Sequence, residues 1–339
     1  PPRTVFLEGW RNSRIETPRF EFEAAGDLDT ATLVSFRKSL RASECDVEAK
    51  YDQLAEEALA TIEFLADRSA SALTELTVRA YGRPDAELVA RAYAILDAPP
   101  PAPAEPATID AESAATSLRV GLADGGYEGW QVVVDPLMNA RMAVDSLRRE
   151  VKVRAGAMFR PDAIARLLVH EIGVHVHRAD RGDRQPIKLL GRGLPGYLST
   201  EEGLAVWSEQ QAGLLDPATL RVYAARVLAA DATLQSDFVE TYRLVEPHVG
   251  AEVAFEIAAR SKRGLLDPSV PGGHVKDQVY LRGLIEVSQH LAIHPETHSI
   301  LMSGKIGIGD LAWFESLRRR SLASILPPTF PPGPGPWNT

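Results

Sequence analysis

In 339 residues the chain has a single cysteine, Cys45, so no intramolecular disulfide can brace it. A lone thiol suits a reducing compartment, which points to the cytoplasm, and Cys45 itself is expected to serve as a small buried hydrophobe. No apolar run approaches the roughly 20 residues that span a bilayer. The opening PPRTVFLEGW has neither the basic nor the apolar stretch of a secretory signal. Positive charge is also scarce: 37 Lys and Arg stand against 46 Asp and Glu, a formal net charge of -9, and no basic run is present to neutralise phosphates. These absences argue against nucleic-acid and membrane partners. What is present, 45% hydrophobic and 24% charged residues, suits a globular protein of one large or two moderate domains.

Residues 1–97 are predicted to form a helical region. Within 29–97, apolar residues such as Leu54, Ala58, Ile62 and Leu65 recur at three- and four-residue steps, the stripe of an amphipathic helix. The run APPPAPAEPA, residues 98–107, holds five prolines and cannot continue a helix, so it is read as a linker or insertion. Beyond it the period changes. WQVVVD at 130–135 and REVKVRAG at 149–156 are short and β-branched, and the second alternates, so both are predicted strands. A helix is expected to open at Pro161, a residue favoured in the first turn, with Asp162 complementing the helix dipole. Another is expected in STEEGLAVWSEQQAGLL, with Ser199 or Thr200 as its N-cap. Further helices follow after Asp216. The Pro/Gly-rich tail, residues 321–339, is expected to be loosely ordered.

The helix after Pro161 carries LVHEIGVHVH. In the common H-E-x-x-H arrangement two histidines four residues apart leave one helix face, beside a glutamate that serves as base. Here the second histidine comes five residues on, at His175 after His170. On a regular helix a four-residue step leaves side chains about 40° apart and a five-residue step about 140° apart, whereas a tetrahedral zinc needs its two nitrogens roughly 3.3 Å apart. His170 and His177 are nearly aligned, but about 10.5 Å of rise separates them. Either the cluster is structural, or the helix accommodates an extra residue as a π-type bulge, a distortion that occurs preferentially at functional sites. Gly173 between the histidines costs about 1 kcal/mol in a regular helix and eases such a distortion. Glu202 is open in the same way. With Ser199 it fits S-x-x-E, a capping box, and it equally fits a third metal ligand delivered by a second helix.

Taken together, HEIGVH, QP at 185–186, GLPGY at 193–197, EEGLAV at 201–206 and GGHVKDQVYLRG at 272–283 resemble the QEGLA-motif family, which includes the microtubule-associated tyrosine carboxypeptidases. The likeness covers roughly residues 130–311 and rests on the combination of motifs. It implies a metallopeptidase whose signature is H-E-x-x-x-H, with His170, His175 and Glu202 as ligands of one zinc ion per chain and Glu171 as general base. His177 and His274 are then not ligands. Two positions depart from the family pattern: Glu201 stands where glutamine is usual, adding charge near a cation, and Arg181-Gly182 stands where Asn-Gly is usual, near the entrance to the site.

The resemblance further implies a zinc carboxypeptidase acting on the C-terminal tail of a peptide or protein, with an aromatic end residue. Such an enzyme also needs a cation for the terminal carboxylate and donors for the oxyanion. Arg263, Lys276 and Tyr280 are candidates for these roles, against plain alternatives as surface charges and a packed ring. The Ala- and Arg-rich composition looks bacterial, and no segment resembles a microtubule-binding one, so tubulin is not carried over as substrate. The expected fold is α+β, mainly helical with a small antiparallel sheet, around a zincin-like core of the gluzincin type, and the catalytic region is expected over residues 108–320. The competing functions are a zinc hydrolase of a non-peptide amide and a non-catalytic helical interaction protein.

Overall fold

The computed structural model describes residues 2–14, 16–22, 26, 29–40, 46–102, 105–138 and 140–317. Cys45, the tail over 321–339 and positions 103 and 104 of the proline-rich run lie outside these residues. The chain divides into two units. The first is Pro1–Pro100 with Pro217–Leu281, and the second is Pro101–Asp216 with Arg282–Thr339. Among the described residues, no helix is long and apolar enough to cross a membrane.

The first unit is helical, as the apolar periodicity predicts. Pro2–Arg11, Thr30–Ser39, Asp46–Asp67, Ala70–Tyr81 and Ala86–Asp97 are followed, after the excursion into the second unit, by Pro217–Ala232, Phe238–Val249 and Ala251–Ser261. Short polar residues start several of them. Asp29, Ser69 and Asp85 each accept a hydrogen bond from a backbone amide of the first turn, satisfying a donor that the helix itself leaves open. Phe6 sits among Phe238, Tyr242 and Phe255, with ring centroids 5.2, 4.9 and 5.4 Å away, and all four rings are buried.

Among the described residues, the second unit holds all five strands: β1 (Ile109–Asp110), β2 (Gln131–Asp135), β3 (Met142–Asp145), β4 (Glu150–Arg154) and β5 (Met158–Phe159). β1 and β5 form a two-stranded antiparallel pair. The other three form a sheet of order β2-β4-β3 that is mixed, which corrects the antiparallel sheet expected from sequence: β3 runs antiparallel to β4, but β2 runs parallel to it. The reason is local. β3 turns back into β4 through a tight turn in which Asp145 Oδ1 accepts from the amides of Leu147 and Arg148, so β4 takes the central place and leaves its other edge for β2.

The alternation read in REVKVR is real. Val151 and Val153 are fully buried while their neighbours are half-buried. Against this sheet pack Ala115, Leu118 and Leu122 of the helix Ala111–Asp124, together with Leu167, Ile172, Val176 and Ala179. The last four share one side of the segment carrying the histidine cluster, so the hydrophobic core fixes how that segment is rotated and leaves its other side for chemistry.

Candidate metal centre

The segment from Pro161 changes its helical geometry twice. Pro161–Leu167 is α-helical with Pro161 at its start, Leu168–Val176 is π-helical, and His177–Asp183 is α-helical again. Within the π stretch, hydrogen bonds run to the carbonyl five residues back, as from the His177 amide to Ile172 O. A five-residue step then stacks one side chain over the other. The His170 and His175 rings stand edge to face with centroids 4.8 Å apart, and Gly173 lies between them in the distorted turn. The helix therefore leaves regular α geometry where the sequence required it to if the two imidazoles were to converge.

Glu202 comes from the helix Leu198–Gln211. The sequence placed the N-cap at Ser199 or Thr200, but the helix begins at Leu198, its cap position is Tyr197, and no side chain caps it. Ser199 lies inside the first turn and donates instead to Glu286 Oε2 at 2.7 Å, so the capping-box alternative for Glu202 does not form. Glu202 Oε2 lies 3.6 Å from His170 Nε2 and 3.7 Å from His175 Nε2. One donor atom from each of the three residues lies within 4.8 Å of the others, and all three residues are buried. Gly203 explains how this helix comes so close to its neighbour. A Cβ there would stand 2.3 Å from Gly283 O, and one on Gly283 would stand 2.0 Å from Ser199 O, so the helices Leu198–Gln211 and Val279–Ile293 cross backbone to backbone.

Behind each histidine stands a carboxylate. His170 Nδ1 donates to Glu209 Oε1 at 2.7 Å, and His175 Nδ1 donates to Glu201 Oε1 at 2.9 Å. These bonds put a ring proton on Nδ1 and turn Nε2 toward Glu202, the orientation that metal-ligating histidines adopt. Each carboxylate is neutralised in turn, Glu209 by Arg166 Nη1 at 2.9 Å, and Glu201 by Arg178 Nη1 and by Lys305 Nζ at 3.2 Å.

Burial alone would lower the pKa of His170, but hydrogen bonds to Glu202 and Glu209 outweigh it and raise the value to about 10. The cage is thus short of positive charge, which a metal ion could supply in place of that proton. Burial would raise the pKa of Glu201, yet Lys305, Arg178 and His175 hold it far below the usual carboxylate range. The convergent N, N, O donor set and the fixed ring tautomers fit a zinc ion with an open fourth position.

Glu171 is also buried and precedes the two residues that separate it from the π-turn glycine's neighbour Val174 on the same segment. His177 is not part of the donor set. Its Nδ1 lies 2.9 Å from the Tyr127 hydroxyl, and burial, with Arg181, drops its pKa to about 4. Gly182, the residue after Arg181, is confined by packing: a Cβ there would stand 2.0 Å from Leu190 O.

Arg263, Lys276 and Tyr280 belong to the first unit, whereas His170, Glu171, His175 and Glu202 belong to the second. Arg263 engages Asp277 Oδ1 at 3.3 Å and His274 at 3.3 Å. Tyr280 stacks on Tyr223 at 5.1 Å beneath the Arg226 guanidinium, and Lys276 opens the short 3₁₀ turn Lys276–Gln278. His274, in that same surrounding, is likewise outside the metal trio.

Sequence reasoning assigned no role to Glu209, Arg166, Arg178 or Lys305, and treated Glu201 only as a departure. One signal was available for Glu209: it follows Glu202 by seven residues, which on an α-helix returns to within about 20° of the same face.

The family model described as microtubule-associated tyrosine carboxypeptidase matches residues 12–333. The chain is similar to microtubule-associated tyrosine carboxypeptidase 1 of Homo sapiens, 35% identical over 169 residues that make up 47% of this chain and 34% of the relative. Its counterpart from Mus musculus is 33% identical over 191 residues, 53% of this chain and 39% of the relative. The matched stretch thus spans between a third and two fifths of the length of these curated relatives.

Proposed function

The chain belongs to the microtubule-associated tyrosine carboxypeptidase family, and from that premise we propose that it is a zinc-dependent carboxypeptidase that removes a C-terminal aromatic residue, tyrosine foremost, from a peptide or protein tail. His170, His175 and Glu202 hold one zinc ion per chain, in a gluzincin-type core within the catalytic region 108–320. When bound, zinc supplies Lewis acidity toward the scissile carbonyl and the attacking water. Glu171 takes the proton from that water and passes it to the leaving amine, so no covalent intermediate is required. Glu201 and Glu209 hold the two imidazoles in the tautomer that presents Nε2. Arg263, Lys276 and Tyr280 are assigned to the terminal carboxylate and the oxyanion on chemical grounds, since those charges require a cation and donors. The lone cysteine supports a cytoplasmic location in this reading, and the Ala- and Arg-rich composition supports a bacterial source.

The observation that supports this function most is the π-helical turn. It places on one face two histidines that a regular helix would separate, and a glutamate from a second helix meets them there. Elemental analysis of the purified protein tests it. One zinc per chain is expected, with at least a tenfold loss of affinity in Glu202→Ala. Protein that contains no metal, and whose stability ignores added zinc, would sink the assignment.

A further inference from the structure

We propose that Glu201 is a positioning residue of this metal centre, held in the core between His175, Arg178 and Lys305, and that the segment over residues 301–306 is thereby part of the centre. The proposal rests on the metal reading given above. Glutamine is the neutral counterpart of this residue. A glutamine oxygen can also accept from His175 Nδ1, but it carries no charge. A carboxylate makes a charge-assisted bond roughly twice as strong and increases the basicity of the imidazole at Nε2. That gain requires an ionised carboxylate in a place where Glu201 is only 2% exposed, which is unfavourable unless partners are supplied.

Two buried cations supply them. Arg178, with no exposed surface, pairs with Glu201 Oε2, and Lys305, 5% exposed, reaches Oε1. Neither cation is held by Glu201 alone. Arg178 Nε donates to Leu301 O at 2.9 Å and its Nη2 to Ile306 O at 2.6 Å. The Lys305 amide donates to Leu190 O at 2.6 Å, and the Leu194 amide donates to Lys305 O at 3.0 Å. The late segment is therefore stitched to the histidine helix on one side and to the loop before Glu202's helix on the other. Through Lys305 it delivers a charge to the residue that orients a ligand.

The test compares Glu201→Gln, Lys305→Met and the double variant with the parent, reading zinc affinity by chelator competition and the thermal midpoint of the metal-free protein. Glu201→Gln is expected to lose about 10- to 100-fold in zinc affinity and to lower the midpoint, because two buried cations lose their counter-charge. Adding Lys305→Met should restore much of the midpoint by removing one of those cations, while the affinity stays low because His175 still donates to an amide. Zinc binding within about twofold of the parent in the double variant, or affinity that recovers in step with the midpoint, overturns the positioning role. A parent that takes up no zinc overturns the metal reading and this proposal with it. A parent that binds zinc beside an unaffected Glu201→Gln overturns this proposal alone.

Discussion

His170 and His175 each donate a ring N–H to a buried glutamate, and each of those two glutamates is matched by a cation. His274 illustrates the opposite environment. It is largely buried beside Arg263, Lys276 and Arg260, stacked on Tyr81, with only Asp277 to offset the cations. Burial first, then Arg263, drives its pKa from 6.5 to about 2. Because the folded value lies below the unfolded one, this group stabilises the fold above pH 6.5, and that contribution is lost as the pH falls, at up to about 1.4 kcal/mol per pH unit. His274→Gln should flatten the dependence of unfolding free energy on pH between 6.5 and 4, measured by urea titration. An unchanged slope would show that His274 takes up its proton in the folded state.

At this scale the sequence disclosed what contiguous spacing can disclose. His170, Glu171 and His175 lie within six residues, and Glu202 sits in a motif of its own. Arg178 and Lys305 were silent, because a buried cation and a surface one look alike in a sequence, and their partner is distant along the chain.

Among the elements, the π-helical stretch Leu168–Val176 was the most legible, since the five-residue spacing contradicts the α-helix in which the apolar pattern places it. The strand Glu150–Arg154 was legible from its alternation. The parallel pairing of β2 with β4 was not, because it depends on β3, a four-residue strand with no clear alternation of its own. The start of the helix Leu198–Gln211 was misplaced for a related reason: Ser199 offers a good cap, but its hydroxyl is used by Glu286. The crossing at Gly203 and Gly283 gives this level its test. Gly203→Ala forces a Cβ onto the facing backbone, which cannot move aside as a side chain would. A loss of about 1–3 kcal/mol in stability, together with weaker zinc binding through the displaced Glu202, is expected by calorimetry and chelator competition. A variant as stable as the parent would mean that the two helices are free to separate.

For the whole molecule, the proline-rich run begins near the point where the chain passes from the first unit to the second, and its composition marks the place. Nothing local marks the return. The helix Pro217–Ala232 rejoins the N-terminal helices through long-range packing, with Arg221 donating to the carbonyls of Ile95 and Ala98. A period read along the chain cannot foretell such a pairing.

The central claim, a zinc-dependent carboxypeptidase with Glu171 as its base, is tested most directly by incubating the zinc-loaded protein with a peptide library diverse at the C-terminus and identifying the amino acids released. Single C-terminal residues, tyrosine foremost, should appear with the parent, and release should fall at least about 100-fold with Glu171→Gln while its zinc content is unchanged. No release by the zinc-loaded parent, or equal release by Glu171→Gln, would contradict the account.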